Sequence, residues 1–401
     1  MSERKAPVWW GIPKRFSERG KDRKISWLEL FYDLVYAGAI SQLTEHLARH
    51  TDLHALCYVF FLFAFLFWSW LNGSLYHDLH GNAGVRSRIT TLWQMMAVAA
   101  VAVTLPEVFA GHHAGFAISF AVVQMLITYL WWSTGYYEPS HKMLNRWYIF
   151  NYSISFILLV VSAFTTYHTA LILWVLALLS NLSAGILSSR STQREMLKRG
   201  ESFSASSSMI ERFGLFTIIV LGEAILGIIH GIGACTDTSF IIWVSFVLSI
   251  LVAFLLWWVY FDLLGESHAK PGYFNFIFLT FGYLPLLFSF AVIGAAMRVM
   301  LSDSSASPHG IARKMLGIAV AVILLSTVSI SRIMEQDKAE EKAIGKILRL
   351  VLFTSAWVLV VTAISGYVSL PVYLGLIAAT LLGAIALSFR VWLGYGLFSE
   401  E

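Results

Sequence analysis

The stretch SWLELFYDLVYAGAISQLTEHL, residues 26–47, decides the fold class. It is apolar and reaches the length of about 20 residues that a helix needs to cross a bilayer, yet it contains Glu29 and Asp33. At about 100° per residue, both acids fall on one helical stripe. The stripe consists of Ser26, Glu29, Asp33, Tyr36, Ile40 and Thr44. Because an ionised side chain inside a bilayer costs a few kcal/mol unless it is paired or hydrated, we predict that this stripe faces protein or water.

The composition of the whole chain is that of an integral membrane protein. Of its 401 residues, 58% are hydrophobic and only 13% are charged, and the mean hydropathy is +0.70. An ordinary soluble protein of this length carries more charge. Two cysteines, Cys57 and Cys235, are too few for a disulfide framework or a multi-cysteine metal site, and leave one optional bridge. The charged segment 1–26 has no apolar core of signal-peptide type.

Twelve apolar runs of about 20 residues follow one another along the chain. They lie near residues 27–48, 53–74, 88–110, 114–135, 146–166, 169–189, 209–230, 239–263, 275–298, 312–333, 347–366 and 370–394. The runs lack the alternation and the ten-residue length of strands in an outer-membrane barrel. We therefore predict an all-α integral membrane protein with about 12 transmembrane helices.

The distribution of basic residues predicts the orientation. If the N-terminus is cytoplasmic, 24 of the 28 Lys and Arg residues lie on the cytoplasmic side, as the positive-inside rule requires. The exceptions are Arg49, Arg298, Arg313 and Lys314. The protein is thus expected in the bacterial cytoplasmic membrane with both termini in the cytoplasm. The bilayer is the expected partner of these charges, and nothing in the small net charge of +4 suggests a nucleic acid.

The chain divides into two predicted halves. Residues 1–26 form a basic cytoplasmic segment, residues 27–190 a first six-helix half, residues 191–208 a cytoplasmic hinge loop, and residues 209–396 a second six-helix half. Asp33 precedes Trp68 by about the same spacing as Glu223 precedes Trp257, which is compatible with two parallel repeats. The alternative is that aromatic-rich helices resemble each other through composition alone.

A second informative stretch, SMIERFGLFTIIVLGEAILGIIH, covers residues 208–230. Arg212, Glu223 and His230 fall on one face of the predicted helix, together with Ile219 and Leu226. Glu223 lies well inside the bilayer by its distance along the helix. A carboxyl group at this depth is either a neutral hydrogen-bonding group or one that exchanges a proton.

Four motifs together resemble a known family. They are WLELFYDLVYAGAISQL (27–43), VTLPEVF (103–109), ERFGLFTIIVLGEAIL (211–226) and LLWWVYFD (255–262). In this order they resemble the bacterial low temperature requirement A family of multi-pass membrane proteins. The resemblance implies a fold, a membrane location and a link to growth in the cold, but no reaction. Where the family pattern has an acid in its sixth helix, this sequence has Asn181, so a mechanism that needs a carboxylate there is in doubt.

Further polar residues have weaker signals. Glu107 and Arg298 are predicted at similar depth and form a candidate ion pair. Asp262 ends a helix on the cytoplasmic side, where a solvated residue is the default and an inner vestibule is the alternative. His77 and His80 are spaced so that they share a helical face, a weak metal-site signal with no evident further ligand.

Two classes of function remain. The first is a secondary transporter, or a protein that conducts protons or ions, in which Glu29, Asp33 and Glu223 line a polar path for a proton, an ion or a small solute. Arg212 and Asp262 would tune the charge of that path. The second is a membrane scaffold, sensor or lipid-interacting protein in cold adaptation, whose acids only join helices.

Enzymatic catalysis is the third and weakest hypothesis. An intramembrane enzyme would rest on His77, Asp78 and His80 alone. The sequence has no GxxxxGK[ST], HExxH or GxSxG motif, and no motif indicates a cofactor. Homo-oligomerisation is left open.

Overall fold

The computed structural model describes residues 25–82, 84–137, 142–198, 205–235, 239–265, 267–302, 309–336 and 340–395. Within these ranges the chain forms twelve α-helices and one short 3-10 helix, Ser365–Tyr367, which confirms the all-helical prediction. The α-helices are α1 Trp27–Arg49, α2 Leu53–His80, α3 Val85–Phe109, α4 Ala114–Tyr137, α5 Lys142–Ser162, α6 Tyr167–Lys198, α7 Ser207–Gly233, α8 Phe240–Leu264, α9 Tyr273–Leu301, α10 His309–Ser331, α11 Glu341–Ala363 and α12 Leu370–Gly394.

Ten of the helices in the described ranges are long and apolar enough to cross a membrane, namely all except α1 and α5. In α1 the buried acids Glu29 and Asp33 interrupt the apolar sequence. Many apolar side chains on the spanning helices are exposed, such as Phe240, Ile241 and Val247 on α8. Exposed apolar rows of this kind are what a helix presents to lipid, where its backbone is already hydrogen-bonded internally.

The predicted division of the chain lies partly outside the described residues. Nearly all of the basic segment 1–26 and residues 199–204 of the predicted hinge are in this position. The hinge was predicted to begin at residue 191, but α6 continues to Lys198, so residues 191–198 are helical. The two cysteines are not joined in a disulfide. The parallel repeat stays a prediction.

By backbone contacts the chain forms two compact units. Unit 1 contains residues up to Leu43, Leu62–Arg212 and Pro271–Ile277, and unit 2 contains Thr44–Phe61, Phe213–Lys270 and the chain from Phe278 onward. In unit 1, α3, α4 and α5 each pack against the next helix, because short connections make consecutive helices antiparallel neighbours. In unit 2, α8 packs against α10 and α12, and α11 contacts both of these helices.

Two glycines allow α7 and α9 to approach each other closely in unit 2. A Cβ atom added at Gly227 would collide with the backbone carbonyl of Gly294. A Cβ atom added at Gly294 would lie 2.5 Å from the backbone oxygen of Glu223. Because small residues are what brings membrane helices into backbone contact, these glycines fix the position of the α7 backbone around Glu223.

Candidate functional site

The acidic stripe of α1 is buried, as the sequence predicts. Asp33 is 0% exposed and Glu29 5% exposed, whereas Leu34, on another face, is 56% exposed. Tyr36, Ile40 and Thr44 are buried as well. The stripe therefore faces protein, because a lipid-facing stripe would leave two carboxyl groups in hydrocarbon.

Arg212, at the start of α7, joins both acids of α1 in unit 1. Its Nη2 donates to Asp33 Oδ1 at 2.8 Å, and its Nη1 lies 3.3 Å from Glu29 Oε2. Its Nε lies 3.3 Å from each oxygen of Asp33. The planar guanidinium thus meets two carboxylates at once, which suits an arginine better than a lysine. We name Glu29, Asp33 and Arg212 the charged cluster.

Other side chains complete the hydrogen bonding of the charged cluster. Trp70 on α2 donates its Nε1 proton to Asp33 Oδ1 at 2.7 Å. The hydroxyl of Ser26 donates to Glu29 Oε1 at 2.8 Å. The guanidinium carbon of Arg212 lies 5.5 Å from the ring centre of Tyr32, in cation–π geometry. Buried charges are tolerated only with such pairing, because each loses its hydration.

The electrostatic balance of the charged cluster is its main chemical property. With all three groups ionised, two negative charges face one positive charge in a site whose residues are at most 5% exposed. Glu29 and Asp33 therefore share the positive charge of one buried guanidinium.

A chain of hydroxyl groups runs from the charged cluster through unit 1. The hydroxyls of Tyr32 and Tyr36 are 3.1 Å apart, and Tyr36 donates to Ser69 Oγ at 3.1 Å. Ser69 in turn donates to the carbonyl of Leu66 at 2.9 Å. A Cβ atom added at Gly73 would collide with the Tyr32 hydroxyl, so a glycine at this position leaves room for the chain.

Glu223 is buried on α7 in unit 2, 7% exposed. Thr44 on α1 donates its hydroxyl proton to Glu223 Oε2 at 3.1 Å. We name this the hydroxyl contact. Asp33 on α1 contacts Arg212 on α7, and Thr44, later on α1, contacts Glu223, later on α7 by the same number of residues. Because the second contact lies closer to the C-terminus of both helices, α1 and α7 run in the same direction.

The remaining candidates of the transport path, Asp262 and His230, are exposed residues of unit 2. Asp262 is exposed at the end of α8, where it lines an open cavity of unit 2. His230, predicted on the face of Arg212 and Glu223, is exposed in the last turn of α7.

The ion pair of Glu107 and Arg298 stays a prediction. The structure places another carboxylate, Glu45, beside the arginine. Arg298 Nη2 lies 3.8 Å from Glu45 Oε1, which also accepts from Arg49 at 2.6 Å. Glu107 is exposed near the end of α3, and its backbone oxygen accepts from the amides of Ala110 and His112.

Asn181 belongs to a group of buried amides in unit 1. Its Nδ2 donates to Gln124 Oε1 at 3.0 Å. The Oδ1 atom of Asn181 and both polar atoms of Gln94 are buried without a hydrogen-bond partner in the protein. Such groups are costly unless water or a polar ligand reaches them, so the interior of unit 1 has unused hydrogen-bonding capacity.

The histidine cluster of α2 has other partners than a metal would require. His77 Nδ1 lies 2.7 Å from the carbonyl of Gly73, and His77 Nε2 lies 2.8 Å from Thr91 Oγ1, so both ring nitrogens are engaged. Asp78 accepts from the hydroxyls of Ser206 and Ser208, each at 2.6 Å. His80 packs near the ring of Trp131. Among the described residues no group of three metal-binding side chains is assembled.

Sequence analysis missed the roles of Trp70 and Tyr32. The tryptophan selected by spacing was Trp68, whereas the donor to Asp33 is Trp70, two residues later in the same motif. The Nε1 of Trp68 is buried without a partner.

These observations define a multi-pass α-helical membrane protein with charged residues buried between its helices. Comparison with known proteins gives the particular family: over residues 24–387 the chain belongs to the bacterial low temperature requirement A protein (LtrA) family. It is also similar to an uncharacterized protein of Rhizobium meliloti (strain 1021), with 28% identity over 291 residues, which cover 67% of this chain and 68% of the relative. The resemblance inferred from four motifs is confirmed.

Proposed function

We propose that the protein is a secondary transporter, or a conductor of protons or ions, in which Glu29 and Asp33 take up the cation and Arg212 is their permanent counter-ion. The observation that carries this proposal is the sharing of one buried guanidinium by two carboxylates. Intramembrane acids are expensive and commonly mark ion or proton pathways.

Glu223 and Asp262 have supporting parts in this proposal. Glu223, held by the Thr44 hydroxyl, supplies a third buried carboxyl group, on the helix that carries Arg212. Asp262 lies in the open cavity of unit 2, where a solute from water meets it first. We further propose that the protein lies in the bacterial cytoplasmic membrane with both termini in the cytoplasm, which reporter fusions at each terminus would test.

The test is proton flux through the purified full-length protein in liposomes. A pH-sensitive dye inside the liposomes reports proton entry, driven by a potassium diffusion potential. We expect the wild type to acidify the interior, and Asp33→Asn and Glu223→Gln to fall to the rate of protein-free liposomes. Glu45→Gln is the matched control, because Glu45 is on α1 but forms a partly exposed pair with Arg49. Size-exclusion profiles must show that each variant is folded.

A non-transport scaffold is the second candidate, and the hydrogen bonding of the acids favours it. Ser26, Trp70 and Thr44 each donate a hydrogen bond to a carboxylate oxygen of these acids. If Asp33→Asn and Glu223→Gln lower thermal stability but leave flux equal to the wild type, the acids join helices and the transport proposal is wrong. A wild type without flux above protein-free liposomes would also favour the scaffold over proton conduction.

A further inference from the structure

An open cavity of about 1170 Å³ lies at one end of unit 2. Its rim includes residues 267–270, which precede α9, and residues 334–336, which follow α10. These two segments pair through a short antiparallel bridge between Ala269 and Met334. The amide of Lys270 donates to the carbonyl of Ile333 at 2.9 Å, and the amide of Glu335 donates to the carbonyl of His268 at 2.6 Å. The rim is thus held by backbone hydrogen bonds and is a built part of the fold.

Aromatic side chains form one wall of the cavity. Phe254, Trp257, Trp258 and Phe261 repeat on α8 at helical spacing, and Trp392 of α12 joins them. The ring centres of Phe254 and Trp257 are 5.6 Å apart, and those of Trp257 and Phe261 are 5.4 Å apart. A continuous aromatic surface of this kind presents negative ring faces, which attract a cation and pack against apolar groups.

Carboxylates dominate the charge of the described residues that line the cavity. Among these residues are Asp262, Glu335 and Glu340, against one lysine, Lys270, and one histidine, His268. The ammonium of Lys270 donates to the carbonyl of Arg332 at 2.9 Å, so part of its hydrogen bonding is used by the rim. Three acids opposite one permanent cation attract a positive ligand and repel an anion of the same shape.

We propose that this cavity binds an amphipathic organic cation, such as a quaternary ammonium or phosphonium ion with an aromatic or apolar body. The aromatic wall packs against the body, and the carboxylates compensate the charge. A metal ion would leave the aromatic wall unused, and a neutral lipid chain would leave the acids unused. The site does not depend on the proposed transport function, because binding is measured without a membrane gradient.

Equilibrium dialysis of the purified full-length protein with tetraphenylphosphonium tests the proposal. Tetraphenylborate is the control ligand, since it has the same shape and the opposite charge. We expect saturable binding of tetraphenylphosphonium at one site per chain and only non-saturable partition of tetraphenylborate. Equal binding of the two ions, or no saturable binding of the cation, would overturn the proposal.

Variants locate the site. Asp262→Asn combined with Glu335→Gln should weaken binding of tetraphenylphosphonium by at least about tenfold, and Trp257→Leu by about threefold to tenfold. Glu341→Gln is the matched control, because Glu341 is an exposed acid one position from Glu340 that does not line the cavity. If Glu341→Gln weakens binding as much as the cavity variants, the attraction is general surface charge and the assigned site is wrong.

Discussion

The charged cluster and the hydroxyl contact lie on the same two helices and use opposite chemistry. In the charged cluster α1 supplies the carboxylates and α7 supplies the donor, Arg212. In the hydroxyl contact α1 supplies the donor, Thr44, and α7 supplies the carboxylate, Glu223. Eleven residues, about three helical turns or roughly 16 Å, separate the two places along each helix. The spacing keeps both on one face of each helix.

This difference shows that the buried acids of one membrane protein need not have one role. Asp33 is held by the positive charge of Arg212 and by the indole of Trp70. Glu223 accepts from a hydroxyl, a donor that serves a neutral acid as well as an ionised one. The charged cluster is thus expected to matter most for stability, and the hydroxyl contact least.

Replacing Arg212 should have the largest effect. Arg212→Gln leaves Glu29 and Asp33 buried without their cation, which we expect to lower the free energy of unfolding by about 3–5 kcal/mol. Thermal unfolding in detergent, followed by size-exclusion chromatography, measures the loss. The triple change Glu29→Gln, Asp33→Asn and Arg212→Gln should recover much of the stability, because no uncompensated charge remains. A stable Arg212→Gln single variant would show that the guanidinium does not hold the charged cluster.

The indole donor to the charged cluster should come next. Trp70→Phe removes the 2.7 Å bond to Asp33 while keeping most of the aromatic volume. Hydrogen bonds to charged groups contribute about 1.5–3 kcal/mol, and we expect a loss of that size in the same unfolding assay. Trp68→Phe is the control, because the Nε1 of Trp68 has no partner to lose. Equal losses in both variants would mean that ring packing, not the hydrogen bond, decides the effect.

Helical periodicity and the cost of burying charge predict the stripe of α1 and the candidates Arg212 and Glu223 on α7. They do not predict which side chain on another helix contacts each acid. Trp68 and Trp70 differ by about 200° around α2, and composition does not tell which of them faces α1. Depth along a helix likewise does not say which helices are neighbours, so the sequence does not predict that Glu45 lies beside Arg298.

Beside the hydroxyl contact, α7 and α9 pack closely at Gly227 and Gly294. Gly227→Ala places a methyl group against the backbone of Gly294, so α7 and α9 must separate. We expect a loss of about 1–3 kcal/mol, the usual cost of overpacking. Gly222→Ala is the matched control on α7, because a Cβ atom there meets nothing within 4 Å. Gly227→Ala should therefore have a lower melting temperature than Gly222→Ala. If the two melting temperatures coincide, the close approach does not constrain the helices.

The hydroxyl contact itself should give the smallest change. Thr44→Val removes the donor to Glu223 while keeping the shape of the side chain, and hydrogen bonds between membrane helices contribute about 0.6 kcal/mol on average. Thr44→Ser, which keeps a hydroxyl, should lose less than Thr44→Val.

A double-mutant cycle of Thr44→Val and Glu223→Gln isolates the coupling of the two side chains, and the same cycle for Asp33→Asn and Arg212→Gln isolates that of the ion pair. If Glu223 is neutral in the resting protein, Glu223→Gln replaces one hydrogen-bonding group by a similar one, and the first coupling stays below about 1 kcal/mol. A coupling as large as that of the ion pair would mean that Glu223 carries its charge inside the protein. The charged cluster and the hydroxyl contact would then differ only in their hydrogen-bond donors, and Asp33 and Glu223 would both need a compensating cation.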